Sequence, residues 1–373
     1  MHDNKERYRK LCEEKNIPLF MQAWWFDAVC LPVGKQWDVL LCEEKGEILG
    51  AMPYHITKKY GFKIIVQPRG AQYNGVWIDY LKDMKLHKRY SFEKRVMDNL
   101  IDQLESLNVS HYSQNFHHSF TNWQPFYWRG FRQTTRYTYL LKDLSDLDRC
   151  FENFSYAKQR HLKKEIDDLI IDFSLSAAEF YDFHKQCLRQ KNAKIEYSQE
   201  LLLSVYNETL KREQGKIIAL KDKNNNLHSS IFIVWDKNSA YACIYSINPQ
   251  FKSDGTSTKM FWEAIKFVSD KTKIFDFEGS MIESVAQSYQ QFGTEQIPYF
   301  NISKSYSHIL NLLLKFKKLA NYPKNSFYFC KLKYTTKRCH QSSHSHTANE
   351  FIQIEEIREA IAVYVQILDN LAV

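Results

Sequence analysis

The sequence lacks the short motifs that mark several common enzyme classes. It contains no Gly-x-Ser-x-Gly nucleophile elbow, no Walker phosphate loop and no dinucleotide-binding glycine fingerprint. Hydrolase and dehydrogenase functions are therefore not favoured. The first residues are polar, and no run approaches the roughly 18 apolar residues of a membrane span. These features predict a soluble, cytoplasmic protein.

The eight cysteines include no Cys-x-x-Cys pair. Several lie within apolar patterns, as Cys42 and Cys243 do, which is typical of small buried hydrophobic residues in a reducing compartment. Residues 339–346 (Cys-His-Gln-Ser-Ser-His-Ser-His) have the residue types of a metal site but lack the usual paired spacing. We therefore predict no bound metal.

Acidic residues are absent between Gln296 and Asn349, a segment that holds nine lysines and arginines. The net charge of +8 lies in this segment, because the rest of the chain carries all 43 acidic residues and is nearly balanced. One explanation is a polyanionic partner such as tRNA, a nucleotide or an anionic membrane surface met by residues 304–338. The other is a solvated face of a C-terminal helix.

Length and composition predict more than one domain. The chain has 373 residues, of which 15% are aromatic, enough for two large cores. In both halves helices precede a meander of strands, and a helix and a further strand follow it. We predict a mixed α/β fold with two similar domains, residues 1–142 and 143–305, each a mostly antiparallel mixed sheet flanked by helices. Residues 306–373 are predicted to form a basic, helical extension with a flexible stretch near 335–349.

The predicted elements of each half follow from hydrophobic periodicity. In the first half we expect helices at 17–29 and 91–107 and strands at 37–42, 46–54, 63–67 and 109–113. In the second half we expect helices at 147–169, 177–191, 198–214 and 256–269 and strands at 216–220, 229–235, 241–246 and 274–277. Beyond them we expect a helix at 306–319, an edge strand at 326–334 and a last helix at 351–371.

The turn before the helix at 256–269 is a candidate phosphate site. A strand that ends in a glycine-containing loop and leads into a helix presents unpaired backbone N–H groups to an anion. The candidate anion-binding residues are Gln250, Lys252, Ser253, Gly255, Thr256 and Ser257. In the alternative interpretation this is an ordinary turn, and Asp254 and Thr256 merely cap the helix.

Asp276 and Glu278 are the candidate catalytic carboxylates. They alternate with Phe275 and Phe277 on the predicted strand, so both acids share one face and both rings the other. Two carboxylates on one face can bind or deprotonate an ammonium group. The alternative is that they form the polar side of a half-exposed strand.

A basic patch at residues 156–164 is a candidate binding surface. Lys158 and Arg160 could hold a tRNA or the phosphate of an acceptor. Acidic residues follow at 165, 167 and 168, however, so the alternative is a salt-bridged surface helix.

Five segments together resemble the FemAB-type branch of the GNAT acyltransferases. They are residues 17–29 (IPLFMQAWWFDAV), 69–75 (RGAQYNG), 128–139 (WRGFRQTTRYTY), 275–281 (FDFEGSM) and 291–299 (QFGTEQIPY). Their order and spacing, across about residues 15 to 305, carry the resemblance. It implies two tandem GNAT-like domains. The family transfers an acyl group, often an amino acid from aminoacyl-tRNA, onto an amine, and its best-known members build peptidoglycan cross-bridges.

The resemblance also implies roles for particular residues. Gln250-x-x-Ser253-x-Gly255 is similar to the GNAT pyrophosphate loop, with Ser253 where the family has glycine. Related sequences carry a lysine just before Phe292-Gly293, which can steady an oxyanion, whereas this chain has Gln291 there beside Tyr289. Either Gln291 donates a neutral hydrogen bond, or the activity is altered or lost.

The acceptor is expected in a groove between the domains, near residues 69–75. Arg69 would meet a carboxylate or phosphate there, with Tyr73 and Asn74 beside it. Alternatively this segment is only a turn with Asn74 and Gly75 at positive φ.

These arguments predict an N-acyltransferase or aminoacyltransferase. Acyl-CoA or aminoacyl-tRNA would be its co-substrate, with no permanently bound cofactor, and the acceptor would be an amine of a cell-envelope precursor. The helices between 177 and 214 are too short for the long arm of tRNA-using relatives, which weakens the tRNA alternative. The competing function is a catalytically degenerate binding protein for a nucleotide-linked or glycopeptide ligand. An enzyme of lipid or polysaccharide modification is a third class. The chain is expected to be a monomer or a homodimer.

Overall fold

The computed structural model describes residues 4–80, 82–163, 169–251, 255–311, 313 and 314. Up to the end of its first parallel strand pair, the chain forms α1 (Asn4–Glu14), α2 (Ala23–Cys30), β1 (Trp37–Glu44), β2 (Glu47–Lys59), β3 (Phe62–Val66), β4 (Trp77–Ile78), α3 (Leu86–Ser106) and β5 (His111–Asn115). It continues with α4 (Gln124–Trp128), β6 (Arg132–Leu141), α5 (Leu147–Glu152), α6 (Tyr156–Lys163), β7 (Ile170–Asp172), α7 (Ala177–Gln190) and α8 (Gln199–Lys211). The remaining elements are β8 (Gly215–Lys221), β9 (Leu227–Trp235), β10 (Ser239–Ile247), α9 (Thr256–Val268), β11 (Ile274–Asp276), α10 (Glu283–Gln290) and β12 (Glu295–Ser305).

One continuous mixed sheet runs through both halves of the described chain. Its strand order is β1-β2-β3-β5-β12-β6-β11-β10-β9-β8-β7, with β4 paired to β2. Most neighbours are antiparallel, but β3 pairs with β5 and β10 pairs with β11 in parallel. Parallel neighbours need a crossover, and α3 and α9 provide the two crossovers. At the centre, β12 pairs antiparallel with both β5 and β6.

Helices cover the sheet through three apolar clusters. Within α9, residues 260, 261, 264, 265 and 268 are buried at helical spacing, and they pack against β8 to β11. The opposite face of these strands packs against α2 and α8, one helix from each half. The third cluster joins α3 to the strands of the first half. The second-half strands are therefore covered on both faces, and the site must lie at their ends.

Most predicted elements of the first 305 residues are present, with two corrections. The helix expected at 147–169 is two short helices, α5 and α6, because Phe154 turns inward between them and is buried. The Ser155 side chain then accepts the N–H of Lys158 and begins α6. The helix expected at 17–29 begins with a 3-10 turn at Leu19–Met21 before α2.

Several elements of the structure were not predicted, and several predicted elements lie outside the described residues. The unpredicted elements include α1, α10 and the central strands β6 and β12. The strand expected at 326–334, the helix at 351–371 and the cluster at 339–346 lie outside the described residues. The domain boundary proposed at 142/143 falls between β6 and α5 and stays a prediction. In the described part of the chain, no helix combines the length and apolarity needed to cross a bilayer.

Candidate functional site

The parallel strands β10 and β11 separate after a short paired stretch. They pair from Ser239↔Ile274 to Tyr241↔Asp276, where β11 ends, while β10 continues to Ile247. On its other side, the pairing of β10 with β9 has a register shift between Tyr241 and Ile244. Beyond Tyr241, the edge of β10 that faces β11 therefore pairs with no strand of the described chain, whereas its other edge stays paired with β9. Such a gap at the carboxyl ends of neighbouring strands is where open α/β sheets bind ligands.

Asp276 is the last residue of β11 and is fully buried. Its Oδ1 accepts the hydroxyl hydrogen bond of Thr138 on β6 and the backbone N–H of Glu278, the latter at 2.8 Å. Gln72 in turn donates to the Thr138 hydroxyl at 3.3 Å. The second oxygen, Oδ2, has no hydrogen-bond partner among the described residues. Burial raises the pKa of Asp276 to about 7, although the hydrogen bond from Thr138 opposes the shift.

Glu278 follows at the point where the strand pattern ends. Its φ is +58°, a left-handed conformation that is uncommon for a residue with a side chain. Burial raises the pKa of Glu278 well above its usual value, and neighbouring Asp276 adds to the shift. The rings of Phe275 and Phe277 lie together in the core, 5.0 Å apart, as predicted. The alternative that the two acids are the polar side of a half-exposed strand is wrong, because Asp276 is completely inaccessible.

A cavity of about 220 Å³ lies beside Glu278. It is bounded by residues of both halves: Trp25, Gly70, Ala71, Gln72, Tyr197, Leu201, Leu202, Val205, Phe232, Cys243, Ile244 and Glu278. A smaller cavity of about 170 Å³ shares Tyr197 and Leu201 with it and is also lined by Lys35 and Arg69. The guanidinium of Arg69 forms an exposed ion pair with Glu196 at 2.8 Å. The predicted groove between the halves thus corresponds to two adjoining cavities.

The predicted anion-binding turn is described at both ends. Gly255 occupies the N-cap position of α9 with φ +72°, and no side chain of the described residues caps this helix. Thr256 is therefore not a cap; it is buried, with its hydroxyl unpartnered among the described residues. Gln250 lies in an exposed 3-10 turn at Pro249–Phe251, and Ser257 is partly buried. Lys252 and Ser253, as well as Asp254, lie outside the described residues.

The basic helix α6 packs directly on this helix terminus. A Cβ added to Gly255 would lie 3.0 Å from the Cβ of His161. Arg160 and Lys163 of the same helix are exposed. The positive end of the α9 dipole and the cations of α6 therefore lie side by side, an arrangement that favours an anion.

Lys158 is a buried cation on α6. Its Nζ donates to Ser288 Oγ at 3.3 Å and lies 4.3 Å from the centroid of the Phe292 ring. Burial lowers its pKa to about 8. The segment before Phe292-Gly293, which has no lysine of its own, therefore receives one from a helix more than a hundred residues earlier.

The residues around Phe292 differ in exposure. Tyr289 is buried, and its hydroxyl donates to the Tyr245 hydroxyl at 3.0 Å. Gln291 is exposed at the end of α10, where its backbone oxygen accepts the N–H of Ser155 at 2.8 Å. Of this pair, Tyr289 belongs to the aromatic cluster around Phe277, whereas within the described part of the chain the exposed side chain of Gln291 forms no hydrogen bond to either carboxylate.

Tyr73 and Asn74 are buried parts of the fold at the end of β3. The Tyr73 ring packs against Tyr241 and His117, and its hydroxyl has no partner among the described residues. The Asn74 side chain donates to the backbone oxygen of Pro53 at 2.8 Å. The turn alternative is half right, because Gly75 has a φ of +96° and Asn74 does not have a positive φ.

The structure also adds residues that sequence reasoning did not single out. Gln72, Thr138, Cys243 and Tyr245 surround the two carboxylates, and α8 provides much of the cavity wall. Gln72 and Thr138 do lie within the segments that carried the family resemblance. The cavity beside Glu278 is not distinguished by its size. A larger cavity of about 430 Å³ lies at the opposite ends of β10 and β11, lined by Ser239 and Ile274 among others.

Comparison with known proteins gives a match in fold only. No protein-family model and no curated protein sequence matches the chain. FemX matches the structure with a TM-score of 0.61 at 11% identity, over 84% of this chain and 98% of FemX. The C-terminal domain of an Agrobacterium fabrum protein described as a lysylphosphatidylglycerol synthetase matches with a TM-score of 0.52 at 10% identity, over 85% of this chain and 96% of that one.

A third match is L-PGS from Bacillus licheniformis, with a TM-score of 0.50 at 10% identity, over 83% of this chain and 95% of that one. At such identities the shared property is the fold. The predicted mixed α/β fold is confirmed, and it is shared with these three structures.

Proposed function

We propose that this protein is an N-acyltransferase that moves an acyl group from acyl-CoA to a primary amine. The observation that carries the proposal is the pair formed by buried Asp276 and partly buried Glu278, beside the edge of β10 that β11 leaves unpaired. The pair lies next to a cavity on one face of the sheet, and α9 begins on the other. A donor and an acceptor can therefore approach the same strand end from two sides.

The chemistry requires a neutral amine. Near pH 7 a primary amine carries a proton, and a carboxylate whose pKa is raised by burial, as those of Asp276 and Glu278 are, is a stronger base for removing it than an ordinary carboxylate. Glu278 lines the cavity and would take the proton, with Asp276 behind it. The nitrogen lone pair then attacks the thioester carbon, the C–S bond breaks, and the thiolate leaves and is protonated. Backbone N–H groups along the unpaired β10 edge are suited to the oxyanion that forms meanwhile.

The donor phosphates would lie at the N-terminus of α9. Gly255 begins this helix without a side-chain cap among the described residues, and Arg160 and Lys163 of the adjacent α6 are exposed cations. Residues 250–257 form the loop in this proposal, including Lys252 and Ser253. We favour acyl-CoA over aminoacyl-tRNA because α7 and α8 have 14 and 13 residues and pack against the sheet instead of extending from it.

The acceptor is proposed to be a cell-envelope amine, approached in the cytoplasm. Two matches in fold, FemX and a protein named for lysylphosphatidylglycerol synthesis, support transfer to an envelope component. The basic segment at 304–338 would then assist contact with an anionic membrane.

One of the two sequence features that favour an inactive binding protein has a different explanation in the structure. It rested on Ser253 and on the absence of a lysine before Phe292, and Lys158 provides a cation at Phe292 from another helix. Gln291 then has no need to replace that cation.

The proposal is tested by release of free CoA thiol from acetyl-CoA in the presence of a panel of amines. We expect turnover by the full chain, reduced in kcat about 100-fold or more by Asp276→Asn or Glu278→Gln. Asp270→Asn is the matched control, since this exposed carboxylate pairs only with neighbouring Lys271. Turnover that neither site variant affects would exclude the carboxylate mechanism, and stabilisation by CoA without turnover would favour the binding protein.

A further inference from the structure

We propose that the cavity beside Glu278 binds an apolar α-amino acid unit as the acceptor, either a free amino acid or the first residue of a peptide. This inference rests on the proposed acyl transfer and names the class of its acceptor. The cavity lies on the α2 and α8 face of the sheet, whereas the α9 crossover packs on the other face. Acceptor and donor are therefore assigned to opposite faces.

Shape and lining favour an apolar side chain. The walls are formed mainly by Trp25, Leu201, Leu202, Val205, Phe232 and Ile244. A cavity of about 150 Å³ is enough to hold benzene, so about 220 Å³ accommodates an isobutyl or benzyl group together with the carbon that bears the amine. Removing such a group from water is favourable in proportion to its apolar area.

Three unpartnered polar atoms accompany these walls. Trp25 Nε1, Tyr197 Oη and Gln72 Oε1 are buried and have no hydrogen-bond partner in the described part of the chain. All three residues line the cavity. Buried polar groups are nearly always paired, so we assign these atoms as partners of a ligand that enters the cavity and is reached by small rotations of the three side chains.

The chemistry of the three atoms matches an amino acid unit. The indole N–H is a donor and the tyrosine hydroxyl can donate, which suits a carbonyl or carboxylate oxygen. The amide oxygen of Gln72 and the Glu278 carboxylate accept, which suits the N–H groups of an amine. An amine, a neighbouring carbonyl group and an apolar side chain on one carbon define an α-amino acid.

Charge argues against a basic side chain in the same cavity. Glu278 is the one carboxylate that lines it, and the reacting amine engages that group. A second ammonium, as in a lysine side chain, would be buried without a partner. The adjoining 170 Å³ cavity is lined by Lys35 and by the Arg69–Glu196 ion pair, and it suits the rest of a peptide or a carboxylate that pairs with Lys35.

The test compares acceptors of one size series with acetyl-CoA as donor. Leucinamide and phenylalaninamide should exceed glycinamide and lysinamide at least tenfold in kcat/KM. Leucine, compared with leucinamide, distinguishes a free acid from a peptide terminus. Val205→Trp fills the cavity and should reduce leucinamide to the level of glycinamide. Leu210→Trp on the same helix, where Leu210 is 44% exposed and lines no cavity described above, is the matched control.

A second variant covers the case in which Val205→Trp disturbs folding. Tyr197→Phe removes an unpartnered hydroxyl and keeps the ring, so the melting temperature should barely change. KM for leucinamide should rise about tenfold, as expected for one lost hydrogen bond to the acceptor. Tyr206→Phe on α8 is its control and should leave KM unaltered.

The outcomes separate this inference from the proposed function. Turnover without apolar preference, or with lysinamide preferred, overturns the inference and leaves acyl transfer standing. A Val205→Trp variant that changes only the preferred acyl-CoA chain length also overturns it, because the donor would then occupy the cavity. Leucinamide binding that Val205→Trp abolishes, without turnover of any amine, supports the inference and overturns the proposed function. If the protein neither binds leucinamide nor turns over any amine, both the inference and the proposed function are overturned.

Discussion

The two parallel strand pairs share a topology but end differently. β3 and β5 pair at three positions, as β10 and β11 do. Beyond the first pair, the chain returns into the gap: the Asn74 N–H donates to the Asn115 backbone oxygen at 2.6 Å, and Asn74 forms a parallel bridge with Phe116. Beyond the second pair, β10 stays paired with β9 but has no strand on its β11 side, and this gap borders on the carboxylates and the cavity.

The difference lies in the connection to the crossover helix. Nineteen residues, 67–85, separate β3 from α3, whereas eight residues, 248–255, separate β10 from α9. The long connection fills its own gap and then lends Gly70, Ala71 and Gln72 to the cavity of the other pair. The connection that follows β3 therefore lines the cavity at the end of β10 and β11, and only the second strand pair is expected to take part in turnover.

The largest effect is expected at matched positions of the two pairs. Asp276 pairs with the third residue of its parallel partner, and Ser113 of β5 holds the same position beside Val66. Asp276→Asn should lower kcat about 100-fold to 10,000-fold, and Ser113→Ala should leave it within about twofold. The check is steady-state kinetics of both variants. Equal effects would mean that both strand ends contribute to turnover.

The second prediction concerns pH. Asp276 is protonated in both states below about pH 4, but only in the folded state as pH rises from its ordinary pKa of 3.8 to about 7. The unfolded chain binds fewer protons in this window, so the free energy of unfolding is highest below about pH 4 and falls by about 4 kcal/mol as pH rises to about 7, with about 3 kcal/mol of the loss above pH 5.

Urea unfolding at pH 5 and pH 8 measures this loss. Asp276→Asn should flatten the difference, although Glu278 retains a shift of the same sign. Ser113→Ala should keep the wild-type difference. An unchanged pH dependence in Asp276→Asn would contradict the assigned pKa.

The third prediction addresses the filled gap. Gly75 has a φ of +96°, and a Cβ there would lie 2.5 Å from the Phe116 ring, so Gly75→Ala should lower the free energy of unfolding by about 2 kcal/mol or more. In Gly255→Ala the added Cβ would lie 3.0 Å from the Cβ of His161, so the free energy of unfolding should fall less than in Gly75→Ala, while CoA binding weakens. Thermal unfolding and CoA titration distinguish them. A loss of CoA binding in Gly75→Ala alone would reverse the assignment of the two gaps.

The smallest effect is expected for two lysines over phenylalanine rings. Lys158 lies over Phe292 with no carboxylate described near its Nζ, whereas Lys304 lies over Phe131 and donates to Glu105 at 2.6 Å. Lys158→Met should lower kcat/KM about tenfold with little loss of stability, because burying that cation is costly. Lys304→Met should lower stability and spare activity. Kinetics and urea unfolding of both variants check this, and the reverse pattern would refute it.

Local sequence signals located the second strand pair and its carboxylates well. Periodicity gave α9, the strands β8 to β10 and the position of Asp276, because each is a property of a few neighbouring residues. The hydrogen bond from Thr138 to Asp276 depends on the register of β6 beside β11, which no local pattern encodes. The central strands β6 and β12 were missed for a related reason: β12 contains Pro298, and β6 is partly exposed along its first half. The cavity is lined by residues from six separate segments of the chain, so no local sequence pattern could predict it.

The central position of β12 has a consequence for how the chain is made. β5 and β6 have no direct pairing and meet only through a strand that ends at Ser305. During translation the strands on both sides of β12 therefore emerge before β12 does, and the sheet cannot close until residue 305 has been synthesised. Contacts this far apart in sequence also slow folding. A chain that stops at residue 290 should leave the β12-facing amides of β6 open to hydrogen exchange, and protection of those amides would show that β5 and β6 come together without β12.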